Sequence, residues 1–459
     1  MKSLEPCRGS RFLSVAIPLI FLLALSFCVS APSLVTVSGT RLMVRKRLAT
    51  GELGFSAPYF IRGVCYSPAS ITTATTTIDP DNATIRRQEF GEWFRTDIPL
   101  LRAINVNTVR LFIDPGFSGQ LGRTGLAMLD EFWRNGIMVI MTVDNGINDT
   151  NHIASAVNFY KDHPAVLGWS LGSEWNQSRY FGVANSILDA AQRTENAARL
   201  IQVLDSAHPV VSSYGEIDIQ SSGLRLADTK NYVNNVCPSV ALWSLNVYRG
   251  RSFGNLFRQW ASITSKPCFL GEFGIDAFRA SALMNPNPPG TVNEDEQASW
   301  VLSLWNEISQ HSSEKNATDV CVGGTVFEFC DEWWKISTPQ RAGPSKHDTG
   351  GWFSGAFPDG MGNEEFFGIY TIDRTPRKLA TMLTAAFDVI VLANPVFQDG
   401  QFSISFWSRP GRLYELESSE DIGDGLWTRV ESITASEVQT TVSDANASGT
   451  QQFYRVKAD

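Results

Sequence analysis

Two glutamates stand at the tips of apolar runs that read as buried strands: Glu174 in GWSLGSEWN (168–176) and Glu272 in PCFLGEFG (267–274). Burying a carboxyl at the end of an apolar strand costs solvation free energy, so each position asks for a chemical reason. Two carboxyls facing each other across a pocket can share the work of breaking a bond. One, kept protonated by burial and by its neighbour's charge, protonates the leaving oxygen; the other stays ionised and attacks carbon. Further polar groups sit in comparable places. Arg110 lies inside NTVRLFI (107–113), Asn246 and Tyr248 end VALWSLNVY (240–248), and Trp333 comes shortly after GGTVFEF (323–329). Asp144, Asn145, His347 and Asp348 fall where they would line the same cleft, with no role assigned to them.

The elements that must position these groups repeat along the chain. Eight β-rich runs, at 59–66, 107–113, 136–143, 165–171, 209–214, 240–248, 267–273 and 323–329, alternate with helical patterns such as 89–104, 126–135 and 185–207. Alternating strand and helix implies an α/β protein with a parallel sheet. Eight repeats imply a closed (β/α)8 TIM barrel, expected over 32–392. A doubly wound open sheet is the alternative, but no GxGxxG turn comes after the first strand. In a barrel, polar residues at the C-terminal ends of strands converge on one mouth, which places Glu174 (fourth strand) and Glu272 (seventh) across it. The long loops 71–81 and 337–365, after the first and eighth strands, emerge at the same face. Beyond Pro395 the period changes to two, and 395–459 reads as a small antiparallel β-sandwich.

A net charge of −9 argues against nucleic acid or an anionic membrane as partner, whereas 13 Trp suit a neutral ligand such as a sugar. Lys2, Arg8 and Arg11 precede VAIPLIFLLALSFCVSA, which ends in small residues, so 1–31 is expected to be a cleaved secretory signal, an uncleaved membrane anchor being the alternative, and the mature chain exported. No second apolar stretch is long enough to cross a membrane. With no CxxC, no HExxH and five His, neither a metal nor a cofactor is expected. Five cysteines lie beyond the signal. Cys321 and Cys330 are too far apart to bond along a continuous strand at about 3.3 Å per residue. Cys65 and Cys330, on neighbouring barrel strands, are the candidate pair. Sequons occur at Asn82, Asn148, Asn176, Asn316 and Asn446, of which Asn176 is too close to Glu174 to suit a glycan. Oligomeric state leaves no trace in the sequence.

On these motifs residues 58–385 resemble the clan of (β/α)8 retaining glycoside hydrolases (clan A), whose acid/base ends strand four and nucleophile ends strand seven. FIRGVCYSP and GGTVFEFCDEWW resemble the first and last strands of β-1,3-glucanosyltransferases. EEFFGIYTIDRTPRKLATML (364–383) resembles the closing segment of the β-galactosidase/β-glucuronidase barrel. The C-terminal framework GRLYELESS…WTRV…FYRVKAD resembles sandwich modules of exported bacterial proteins, which anchor or bind sugar. The clan resemblance implies Glu174 as acid/base and Glu272 as nucleophile. It implies Tyr248 as hydrogen-bond donor to Glu272, Arg110 as carboxylate partner at the floor of the site, Asn246 as a polar site residue and Trp333 as sugar platform. The chain departs from the clan at Ser173, where an asparagine normally contacts the sugar 2-hydroxyl. The implied function is an exported retaining β-glycosidase or transglycosylase acting on an oligosaccharide or polysaccharide, β-1,3-glucan among them. An exo-acting hydrolase of the galactosidase/glucuronidase type is a narrower form. The alternative is a carbohydrate-binding protein with a degenerate barrel, motivated by Ser173.

Overall fold

The computed structural model describes residues 31–70, 83–144, 149–219, 223–283, 288–333, 349–423, 425–447 and 451–458. Residues 1–30 of the expected signal, loop 71–81, residues 337–348 of the second loop, and with them Asn145, His347 and Asp348, lie outside the described residues. Eight parallel strands close into a barrel: β1 (Ile61–Tyr66), β2 (Thr108–Leu111), β3 (Met138–Asp144), β4 (Val166–Leu171), β5 (Val210–Tyr214), β6 (Leu242–Asn246), β7 (Cys268–Phe273) and β8 (Cys321–Val326). They run in chain order around the barrel, and β8 pairs back onto β1. Each overlaps one of the eight runs read from the sequence. The runs are legible because helices cover the barrel outside while side chains fill it inside. Every residue of β2, β4, β5, β6, β7 and β8 is therefore buried, giving continuous apolar stretches rather than alternation.

Helices Ala83–Ala103, Gly119–Arg134, Thr150–Tyr160, Ile187–Leu204, Leu256–Ile263 and Glu294–Gln310 form the outer layer. Their starts are chemically marked. Asp149 accepts from the N–H groups of Asn151 and His152, and Ser186 accepts from that of Asp189. Asn293 caps the helix whose first turn holds Glu294, Asp295 and Glu296, three acids at the positive end of its dipole.

The floor of the barrel holds an element that the sequence reading did not separate from it. Leu34–Ser38, Arg41–Arg47 and Leu53–Pro58 form a three-stranded antiparallel sheet. Its Val35, Leu42 and Val44 pack with Tyr59, Ile61, Met138, Ile140, Leu167, Val211, Leu242, Phe269 and Val322, residues at or near the N-terminal ends of the barrel strands. After the barrel, Leu392–Gln398, Gln401–Trp407 and Gln439–Asp444 form one antiparallel sheet, and Thr428–Thr434, Leu413–Ser419 and Phe453–Ala458 another. They share a core of Ile404, Phe406, Tyr414, Leu416, Ala435 and Val442. This module rests against the barrel floor. The Trp407 ring lies 5.1 Å from that of Tyr59 and 6.0 Å from that of Phe55, with the Lys46 ammonium 4.4 Å above it. Phe55 N–H donates to Gln439 Oε1, and Arg102 to the Pro410 carbonyl.

Among the described residues all five cysteines are free and buried, so the expected Cys65–Cys330 bond is not made. The backbones adjoin, Phe329 N–H donating to the Cys65 carbonyl, but the thiols point apart. Cys65 Sγ lies inside the barrel, 3.3 Å from the Gly271 carbonyl, whereas Cys330 lies near Asp97 and Arg374 toward the helix layer. No helix among the described residues is long and apolar enough to cross a membrane.

Candidate functional site

At the mouth, the chain leaving β4 turns sharply. Gly172 has φ +71°, and a Cβ there would come within 2.6 Å of the Tyr180 ring, so both conformation and space demand glycine. Glu174 itself has φ +47°, a left-handed conformation that costs about 1–3 kcal/mol for a non-glycine residue. The next two side chains hold the turn. Buried Trp175 donates from Nε1 to Ser212 Oγ of β5 at 2.8 Å. Asn176 accepts from Gly215 N–H at 2.7 Å and donates to the Glu216 carbonyl at 2.9 Å, and at 2% exposure it has no room for a glycan.

These pins hold Glu174 where Asn246 Nδ2 donates to its Oε1 at 3.2 Å. Asn246 ends β6, and its register partner on β7 is Glu272. Glu272, 8% exposed, accepts from Arg110 Nη1 at 2.9 Å, with the Tyr248 hydroxyl 3.5 Å from its Oε2. Arg110, 1% exposed, also donates to the Gly271 carbonyl at 2.9 Å and to Ser213 Oγ at 2.8 Å, spanning from β2 to β5 and β7. Five of the seven residues read from the sequence, Glu174, Glu272, Arg110, Asn246 and Tyr248, thus form one connected group. Ser173 adjoins it, half-buried, and its hydroxyl has no hydrogen-bond partner among the described residues. Trp333 is half-buried beyond β8, at the edge of the described residues.

The two carboxyls differ in environment. Burial, then the charge of Glu272, pushes Glu174 up to about 7, against the hydrogen bond from Asn246 and the more distant Arg110; Glu364 adds to the rise. Glu272 is instead ion-paired with Arg110. Burial and the adjacent Glu272 raise Tyr248 well above its ordinary value, so it stays a neutral donor. An acid poised near neutrality beside an ion-paired carboxylate can protonate a leaving group on one side of a substrate and attack from the other.

The sequence reading missed a neighbouring cluster. Asp114, three residues past β2, is 1% exposed and accepts from Arg87 Nη2 at 2.6 Å, Gly116 N–H at 2.8 Å and, across 2.8 Å, pairs with His152 Nε2. Burial works the other way, but the His152 and Arg87 hydrogen bonds hold Asp114 below the usual carboxylate range, and the same bond raises His152. The strand-end rule that found Glu174 and Glu272 would have reached Asp114 had it been applied to RLFIDPG. Opposite, the hairpin of Trp352–Phe353 with Met361–Gly362 sets the Trp352 ring 5.8 Å from Tyr248. Among the described residues no group of three or more His, Cys, Asp or Glu is arranged to hold a metal.

A family model described as glycosyl hydrolases family 2, TIM barrel domain, matches residues 88–390, about two thirds of the chain. No curated protein matches. Among solved structures, the chain is similar to a β-D-glucuronidase from Dictyoglomus thermophilum (16% identity, TM-score 0.45, covering 77% of this chain and 53% of that one). It is similar also to the Faecalibacterium prausnitzii β-glucuronidase (19%, TM-score 0.47, 77% and 51%). A third is a family 2 β-galacturonidase from Eisenbergiella tayi (15%, TM-score 0.47, 77% and 54%). The chain spans about half the length of each.

Proposed function

The chain belongs to glycosyl hydrolase family 2 through its TIM barrel domain, and from that membership we propose that it is a retaining β-glycosidase working by double displacement. The observation that carries this reading is the linked pair at the ends of β4 and β7: Glu174 pushed up to about 7, and Glu272 ion-paired with Arg110. A Glu272 oxygen attacks the anomeric carbon while the glycosidic C–O bond breaks and Glu174 gives its proton to the departing oxygen. Arg110 and Tyr248, the donors to its two oxygens, steady Glu272 before the attack and after its release. Water then gives its proton to Glu174 and attacks the anomeric carbon, freeing Glu272. Asn246 offers what Ser173 lacks. It is the amide at the mouth nearest the pair, its Nδ2 donating to Glu174 and its Oδ1 buried without a partner among the described residues. Trp333 and Trp352 are the platforms for the ring. The acceptor is water; the comparisons lend no support to glucan transfer. Export, proposed on residues 1–31, places the enzyme where oligosaccharides and polysaccharides are met.

The test is a panel of p-nitrophenyl β-glycosides of glucose, galactose, mannose and glucuronic acid with a β-1,3-glucan, the first-formed anomer being tracked by NMR. A β-anomer is expected; an α-anomer first would exclude the double displacement. A binding-only barrel, carried by the unpartnered Ser173 hydroxyl, is the second reading, and binding without any turnover would favour it.

The pH profile is set by the state of Glu174, which must hold a proton in the first step. Burial and the charge of Glu272 push its pKa up to about 7, so kcat/KM on an alkyl glycoside falls about tenfold per unit above that pH, the alkaline limb of a bell-shaped profile. In Glu174→Gln that alkaline limb disappears, and kcat/KM on alkyl glycosides drops by roughly 10²–10⁴-fold. An unchanged limb in the variant would take the acid role away from Glu174.

A further inference from the structure

Beside the glutamate pair lies a cavity of about 410 Å³, lined by Arg86, Arg87, Phe112, Asp114, Asp144, Asp149 and His152 among others. That volume lies within the range of about 300–1,000 Å³ typical of small-ligand pockets. It opens at the C-terminal ends of β2 and β3, and two contacts tie it to the proposed active site. Phe112 forms its wall toward the centre, carrying the Arg110 guanidinium 4.7 Å above its ring. The Asp144 carbonyl accepts from Gly172 N–H, two residues before Glu174.

The lining is built, not incidental. Asp114 is saturated by Arg87, His152 and Gly116, which fixes the Arg87 fork and the His152 ring. Arg86 donates to Ser67 Oγ at 3.3 Å, yet its Nε is buried with no partner among the described residues. Among the described lining residues, Arg86 and Arg87 stand with His152 against Asp114, Asp144 and Asp149. Interleaved donors and acceptors suit vicinal hydroxyls, whereas a carboxylate ligand would meet two acids, Asp144 and Asp149, at the lip.

We propose that this cavity is a second sugar subsite, taking a neutral monosaccharide unit of the same chain whose glycosidic bond Glu174 and Glu272 cleave. It rests on the glycosidase reading above and narrows the substrate to a neutral β-linked oligosaccharide or polysaccharide. The test compares p-nitrophenyl β-monoglycosides of glucose, galactose and mannose with the p-nitrophenyl β-disaccharides and the free β-linked tetrasaccharides of the same sugars. In the wild-type protein kcat/KM rises about tenfold or more from one unit to the longer chain. In Arg86→Met, and separately in Asp144→Asn, that ratio falls about tenfold. Calorimetric titration of the Glu272→Gln protein with each tetrasaccharide reads the same subsite without turnover, and adding Arg86→Met to it weakens binding. A length ratio near one would overturn the subsite while leaving the glycosidase reading standing. Tighter binding of a β-1,4-linked tetraglucuronate than of the matching β-1,4-linked tetraglucoside would overturn the neutral class. Tetrasaccharide binding weakened by Arg86→Met, but with no turnover of any substrate, would support the subsite and sink the glycosidase reading; neither binding nor turnover would sink both.

Discussion

Glu272→Gln lowers kcat by about 10⁴-fold or more on every substrate the wild-type protein cleaves, in the range expected when the group that forms the covalent bond is removed. The amide keeps the shape and one acceptor oxygen but cannot attack the anomeric carbon. It also strips the charge that Arg110 pairs with. Arg110 is almost fully buried and retains the Gly271 carbonyl and Ser213 hydroxyl as acceptors, so the variant stays folded but less stable. Circular dichroism and a melting curve, measured beside kcat, separate lost chemistry from lost fold. A sharper measurement uses Glu272→Ala with added azide. Azide enters the space left by the carboxylate, attacks the anomeric carbon from the same face, and gives an α-glycosyl azide from a β-glycoside, restoring turnover. Full activity in Glu272→Gln, or a β-glycosyl azide, would remove Glu272 as nucleophile.

Asp331→Ala destabilises the fold by about 3–5 kcal/mol, the loss typical of leaving one half of a buried ion pair alone. Asp331 lies just past β8, and Arg377 precedes the helix Lys378–Ala386. Their bidentate contact is 2.6 and 2.9 Å, both side chains nearly inaccessible. Asp331 also accepts from Gly368 N–H at 3.0 Å, and Arg377 donates to the Gly368 carbonyl at 2.7 Å. The pair therefore ties the chain that closes the barrel to its last strand. Urea unfolding gives the measurement, with two controls. Asp331→Asn keeps the Gly368 bond and loses less. Asp331→Leu combined with Arg377→Leu buries no lone charge and recovers much of the deficit. A loss under about 1 kcal/mol in Asp331→Ala would show that water reaches Arg377.

How much was legible in the sequence depends on how information is carried along a chain. The barrel strands announce themselves because burial on both faces leaves unbroken apolar runs between helical patterns. The floor sheet carried a signal too: LVTVSGTRLMV alternates about the turn at Gly39, with Val35, Leu42 and Val44 inward. It lies between the signal-like segment and the first barrel run, inside the range 32–392 expected for the barrel. Glu174 and Glu272 were found from strand ends alone, since one strand delivers one side chain to the mouth. Arg87, Asp114 and His152 come from a helix, a strand end and another helix. No spacing rule joins three such elements; only packing does. The Cys65–Cys330 expectation failed for a related reason, since adjacency of strands says nothing about which face a side chain takes.

The placement of the C-terminal module has a mechanical meaning. It grips the barrel through Trp407, Gln439 and Pro410, all against the floor, on the side opposite Glu174 and Glu272. The barrel is thus mounted like a cup on a stem. Whatever the stem is fastened to, the open rim points away from it. The rim then stays open to solution, and the residues that grip the floor take no part in it.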